Sequence, residues 1–132
     1  MSGSTGFFTL LVLGTFWTRL FGQAPAAEEI APAAVLEKIK SEIPLVVVDV
    51  RTPEEYNGPL GHIPGAVLVP VQTIEAKPDT LSKYKDREII TVCRAGRRSL
   101  RAAGVLAAKG YNVKSMAGGM EEWNRLKYPV KK

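Results

Sequence analysis

Chemistry in this chain concentrates in Cys93-Arg94-Ala95-Gly96-Arg97-Arg98-Ser99, which holds the protein's only cysteine. A thiol becomes a nucleophile when it ionises. Free cysteine has a pKa near ~8.5, and a helix N-terminus or adjacent cations lower it to roughly 3.5–7.5. Arg94, Arg97, Arg98 and Arg101 surround Cys93 with fixed positive charge, suited to an anionic substrate. A lone cysteine at the end of an apolar strand can also be a small buried hydrophobe. Such a residue needs no arginines, and four of them around an empty loop would repel one another. Cys93 therefore reads as a nucleophile.

The flanking segments explain how such a thiol is positioned. Ile89-Ile90-Thr91-Val92 is an apolar, β-branched run, and a helical pattern runs from Arg98-Ser99 to about Lys109 with Leu100, Ala103, Leu106 and Ala107 on one face. Strand, loop and helix in this order let the loop amides point inward at the positive helix start, a cradle for an anion. Gly96 removes the Cβ where the backbone must bend tightly. Gly110 is placed to end the helix.

Composition bounds the rest. At 132 residues, 45% of them hydrophobic and 23% charged, the chain has room for one domain with a single core. The net charge of +5 comes from basic residues in the Cys93 loop and in the tail (Lys127, Lys131, Lys132). No Lys/Arg run interleaves with aromatics, which argues against a nucleic-acid face. One cysteine excludes an intramolecular disulfide and a CxxC cluster, and with a single histidine no protein-only metal site is expected.

Residues 1–26 differ from the rest of the chain. Phe7 to Trp17 is almost continuously apolar, shorter than the roughly 20 residues that span a bilayer. It fits the core of an export signal with Ala24-Pro25-Ala26 as a cleavage site. Arg19 lies on the wrong side of that core, and no Lys or Arg precedes Phe7. The alternatives are an uncleaved leader touching a membrane through residues 7–21, or ordinary structure. The expected location is periplasmic or exported, with cytoplasmic or membrane-associated as the alternative.

From Ala27 a single domain is expected. Glu28 to Ala31 reads as a linker, and Pro32 opens a helix ending near Ser41. Leu45 to Val50 is a strand buried on both faces, with Asp49 at the end where open parallel sheets bind ligands. Asp49 could equally cap the turn or helix at Pro53-Glu54-Glu55-Tyr56. Ala66–Val69, Glu88–Cys93 and Val113–Met116 are further strands, one or two helical turns lie between Gln72 and Asp86, and Gly118-Gly119 turns into a last helix burying Trp123. This alternation predicts a small α/β domain with a mainly parallel central sheet and helices on both faces.

The Cys93–Ser99 loop resembles the active-site loop of rhodanese-type sulfurtransferases. Three further stretches match that family in order: Asp49-Val50-Arg51 with Pro53-Glu54-Glu55-Tyr56, Gly61-His62-Ile63-Pro64-Gly65-Ala66, and Gly118-Gly119-Met120-Glu121-Glu122-Trp123. Together they cover roughly residues 33–130. The resemblance implies one rhodanese module, a three-layer α/β/α domain, in which Cys93 carries a persulfide between an anionic donor such as thiosulfate and a nucleophilic acceptor (cyanide, a thiol or a protein). Arg94, Ala95, Gly96, Arg97, Arg98 and Ser99 would bind the anion. Asp49 and Arg51 would support the loop. His62 would hold its own turn in place, not act as a base. No cofactor is needed, and a monomer is expected. The Asn57-Gly58-Pro59-Leu60-Gly61 loop is slightly longer than the family's usual spacing, which would alter the pocket rim.

Two other readings share the fold. Cell-cycle-type dual-specificity phosphatases and related arsenate reductases use Cys-x5-Arg, whereas Cys93 and Arg98 give Cys-x4-Arg. Rhodanese modules that lack the cysteine serve as binding domains, and a persulfide carrier docked to one partner would use the same residues as the enzyme.

Overall fold

The structure, a computed structural model, describes residues 27–132. The expected leader, with the cleavage site and membrane contact suggested for it, lies outside the described residues. Within them the order is β1 (Glu28–Ile30), α1 (Pro32–Lys40), β2 (Leu45–Asp49), α2 (Pro53–Tyr56), β3 (Val67–Leu68), α3 (Val71–Ala76), a 3-10 helix (Pro78–Tyr84), β4 (Glu88–Val92), α4 (Arg97–Ala108), β5 (Val113–Met116) and α5 (Gly119–Arg125). The five strands form one parallel sheet in the order β1-β5-β4-β2-β3.

Alternation along the strands sorts side chains to two faces. Val46, Val48 and Ile89 pack with Ile74 of α3, Leu81 of the 3-10 helix, and Ala102, Ala103 and Leu106 of α4. Val47, Ile90 and Val92 pack on the other face with Val35 of α1 and with Met120 and Trp123 of α5. The result is a three-layer α/β/α domain. Buried Glu88, at the start of β4, ties α1 and β5 together through Lys38 and Lys114. Burial pushes its carboxyl upward, but the two lysines outweigh burial and hold it below the ordinary value.

One segment departs from the sequence reading. Glu28–Ile30 is an edge strand, not a linker, with Ile30 opposite Met116 and the Ala117 amide donating to the Ile30 carbonyl at 2.9 Å. Its two exposed glutamates carry no alternating pattern, so its strand character comes from the open edge of β5.

The strand order also locates the site. From β2 the chain turns outward to β3, whereas from β4 it turns the opposite way to β5, so a crevice opens beyond the C-terminal ends of β2 and β4. Asp49 and Arg51 follow from β2 and the Cys93 loop follows β4. At the far side the tail returns: His62 and Lys131 pair in antiparallel fashion, with amide-to-carbonyl bonds of 2.9 and 2.8 Å.

α5 begins against the exit of β4. The Met120 amide donates to the Cys93 carbonyl at 2.8 Å and the Glu121 amide to the Arg94 carbonyl at 3.0 Å. Gly119 has φ +58, and a Cβ there would lie 2.4 Å from the Arg94 carbonyl oxygen and 2.5 Å from that of Cys93. Backbone cannot yield as a flexible side chain can. Gly119→Ala is expected to cost at least about 3 kcal/mol from left-handed strain plus overpacking, read as a lower urea midpoint at unchanged m.

Candidate active site

Cys93 closes β4 and is 1% exposed. The next three residues make the turn, and Gly96, at φ 107, caps α4 in a backbone region that side chains rarely adopt. That turn brings the Gly96 amide back to donate to Cys93 Sγ at 3.0 Å. Ser99, one turn into α4 and fully buried, places its Oγ 3.3 Å from Sγ. Thr91 Oγ1, on β4, donates to the Ser99 carbonyl at 2.8 Å and fixes the first turn of α4 beneath the sulfur. The sulfur therefore faces a backbone amide and a hydroxyl at the start of a twelve-residue helix, the anion-favouring end.

The arginines are distributed differently from the ring the sequence suggests. Arg98 forks onto both oxygens of Glu55 at 2.7 and 2.8 Å. Arg94 pairs with Glu121 at 3.2 Å, and Arg101 with Glu75 at 2.9 Å. Arg97 and Ala95 are exposed, and no carboxylate among the described residues pairs with Arg97. Arg98 nonetheless stays in the field of the sulfur. Its Glu55 bond raises its pKa against the opposing effect of burial, and the Cys93 and Asp49 charges add to the rise.

Asp49 and Arg51 form a buried pair, each 1% exposed. Arg51 Nε and Nη2 donate to the two Asp49 carboxylate oxygens at 2.9 and 2.7 Å, and Nη2 also donates to the Gly61 carbonyl at 2.7 Å. The pair thus links the end of β2 to the His62 turn. His62 Nδ1 donates to the Tyr56 carbonyl at 2.9 Å, and its ring stacks on Tyr56 with centroids 3.6 Å apart. Its ring is engaged with the turn and not with Cys93. Between Arg94 and the Pro59-Leu60 turn lies a pocket of about 200 Å³, also lined by Arg51 and Glu55. Pro59 and Leu60 of the extended loop form part of its wall.

Several participants have no signal in a residue-type search. Glu55 appears in the sequence only as one member of the Pro53-Glu54-Glu55-Tyr56 stretch; in the structure it closes a capping box with Thr52 and reaches Arg98 across 43 residues. Ser115, behind Ser99 on β5, looks like any strand serine. The α5 amides that hold the loop carbonyls are backbone groups, marked only by the double glycine.

Comparison with known proteins agrees with this geometry. Residues 32–126 match the rhodanese-like domain. A Bacillus subtilis protein named "Putative sulfurtransferase YtwF" is 38% identical over 96 residues, covering 73% of this chain and 89% of that one. A protein named "Sulfurtransferase" from Allochromatium vinosum is 31% identical over 103 residues, covering 77% and 92%. The crystal structure of a rhodanese-related protein from Thermoplasma volcanium aligns with a TM-score of 0.69 at 30% identity, covering 79% and 97%. A parallel α/β domain with its cysteine on the strand–loop–helix turn at the sheet's switch point is the rhodanese architecture. This chain belongs to the rhodanese-like domain family.

Two outcomes check the supporting contacts. Arg98 first, with help from Thr52 and against burial, holds the Glu55 carboxyl down to about 2 from 4.5. A folded carboxyl titrating below its unfolded value stabilises the protein above pH 4.5, and that contribution drains away as the pH falls toward 2. Glu55→Gln should therefore cost about 1 kcal/mol at neutral pH, allowing for the pair's partial exposure. In urea titrations the wild-type and variant stabilities should converge near pH 2. His62→Gln loses the stack on Tyr56 and should cost about 1–2 kcal/mol while the pH–rate profile keeps its shape. Loss of one limb of that profile would instead make the imidazole a base.

Proposed function

We propose that this protein is a sulfurtransferase whose Cys93 carries sulfane sulfur as a persulfide. The observation that carries the reading is the sulfur itself: a buried thiol with the Gly96 amide at 3.0 Å and the Ser99 hydroxyl at 3.3 Å at the opening of α4. Such an environment favours an anion on sulfur in both resting and loaded states. The family and its sulfurtransferase-named relatives support the same activity.

The donor is a small anion such as thiosulfate. The Cys93 thiolate attacks the outer sulfur, an Sγ–S bond forms, and the donor's S–S bond breaks with its electron pair leaving on sulfite. A nucleophile (a thiol, a protein cysteine, or cyanide in the test tube) then attacks that outer sulfur, and the Sγ–S bond returns its electrons to Cys93. No cofactor enters either half-reaction. Arg97, exposed at the rim with no carboxylate partner among the described residues, draws the anion in, while Arg94 is shared with Glu121 and the deeper charge of Arg98 is spent on Glu55. The Cys-x4-Arg spacing of Cys93 and Arg98 weighs against phosphate chemistry, because a loop one residue shorter than Cys-x5-Arg makes a tighter ring of amides, better suited to a single sulfur atom.

Incubation of the full chain with thiosulfate, followed by intact mass, is the direct test. A gain of about one sulfur atom is expected, reversed by cyanide or dithiothreitol and absent in Cys93→Ala. Cys93→Ser should also abolish turnover with the urea midpoint nearly unchanged. Activity retained by either variant would overturn the mechanism.

A further inference from the structure

We propose that Ser115 is a positioning residue for the Cys93 sulfur, acting through Ser99 as a one-way hydrogen-bond relay. The inference rests on the reading of Cys93 as the sulfur-carrying nucleophile. Ser115 Oγ donates to Ser99 Oγ at 2.8 Å, and both residues are fully buried. Ser115 lies directly opposite Thr91 in the β4–β5 register, so adjacent strands grip Ser99 twice, Thr91 at its carbonyl and Ser115 at its hydroxyl. A buried hydroxyl costs free energy unless it is paired. Packing alone would be met by alanine at this position.

Counting protons gives the relay its direction. A serine hydroxyl has one proton and two acceptor sites. The Ser115 proton goes to Ser99 Oγ, so the Ser99 proton must go elsewhere. It has two acceptors in reach: the Gly96 carbonyl at 3.1 Å and Cys93 Sγ at 3.3 Å. With the thiol neutral, Ser99 accepts from both Ser115 and the S–H and gives its proton to Gly96. When the thiol ionises, its proton passes to solvent and the Ser99 O–H turns from the Gly96 carbonyl to the sulfur. The Gly96 carbonyl is not left bare, because the Leu100 amide still donates to it at 3.2 Å. The anion on sulfur then holds two donors, the Gly96 amide and the Ser99 hydroxyl. Without Ser115, the Ser99 oxygen loses the bond that fixes and polarises it.

Alkylation tests this without any sulfur donor. The full chain is treated with iodoacetamide and followed by intact mass, which reports one site because the protein has one cysteine. Rates are compared near pH 6.5 and near pH 9.5, on either side of the roughly 8.5 of a free thiol. Ser115→Ala should lower the pH 6.5 rate about threefold and leave the pH 9.5 rate unchanged. Ser99→Ala should lower the pH 6.5 rate about tenfold, and adding Ser115→Ala to it should change nothing further. Ser115→Thr should keep the wild-type ratio and Ser115→Val, nearly isosteric with the threonine variant but lacking its hydroxyl, should not, a comparison that serves equally if the alanine variant fails to fold. The relay is overturned if Ser115→Ala, folded by its urea midpoint, keeps the wild-type rate ratio, or if the double variant falls below Ser99→Ala. A thiosulfate adduct that never forms, alongside the expected alkylation ratios, would instead overturn sulfur transfer and leave the relay standing.

Discussion

The capture of two loop carbonyls by α5 is the constraint on which the site depends. A trans peptide points its C=O and N–H in opposite directions. Once the Met120 and Glu121 amides hold the Cys93 and Arg94 carbonyls, the amides of Arg94 and Ala95 must turn to the other side of the loop. The polarity of the turn is thereby set by a helix that contributes no side chain to the sulfur. Gly96 then completes the turn and Gly119 allows the close contact.

Electrostatics around the loop are arranged by depth. The innermost cation, Arg51, is spent on Asp49 and the Gly61 carbonyl, a buried pair whose value lies in fixing geometry more than in net stability. Arg98 is half-buried and clamped by Glu55, and Arg94 and Arg97 sit at the rim. With Arg94 paired to Glu121, the loop arginine left without a carboxylate among the described residues is Arg97, at the rim where an incoming anion meets the protein. Next to the sulfur the neutral dipoles of Gly96 and Ser99 take over, and these stabilise an anion without binding it as tightly as an unpaired guanidinium would.

Much of this was legible in the sequence because it is local. The β-branched run before Cys93, the glycine after it and the helical spacing beyond Arg98 each concern residues within one turn or strand, and the same holds for Leu45–Asp49 and for Trp123 in the core. The Asp49–Arg51 pair is also local, being two residues apart. Contacts between elements were not legible. Arg98 meets Glu55 and Arg94 meets Glu121 only because the sheet order brings α2 and α5 to the same crevice. Residue type alone sent those arginines toward substrate. The edge strand Glu28–Ile30 was missed for a similar reason, since its hydrogen bonds are supplied by β5 and not by its own pattern.

The pairing of His62 with Lys131 places the C-terminal tail in mechanical series with the catalytic crevice. Force applied at Lys132 passes through two backbone hydrogen bonds to the His62 turn. The peptide whose N–H side is His62 carries on its other side the Gly61 carbonyl that holds Arg51. Gly61 itself has no room for a Cβ, which would lie 2.7 Å from the Lys131 carbonyl oxygen, so glycine is what lets the strap lie this close to the turn. A protein fused to this end, or a partner tugging on it, would pull on the scaffold of the sulfur site and not on a loose thread.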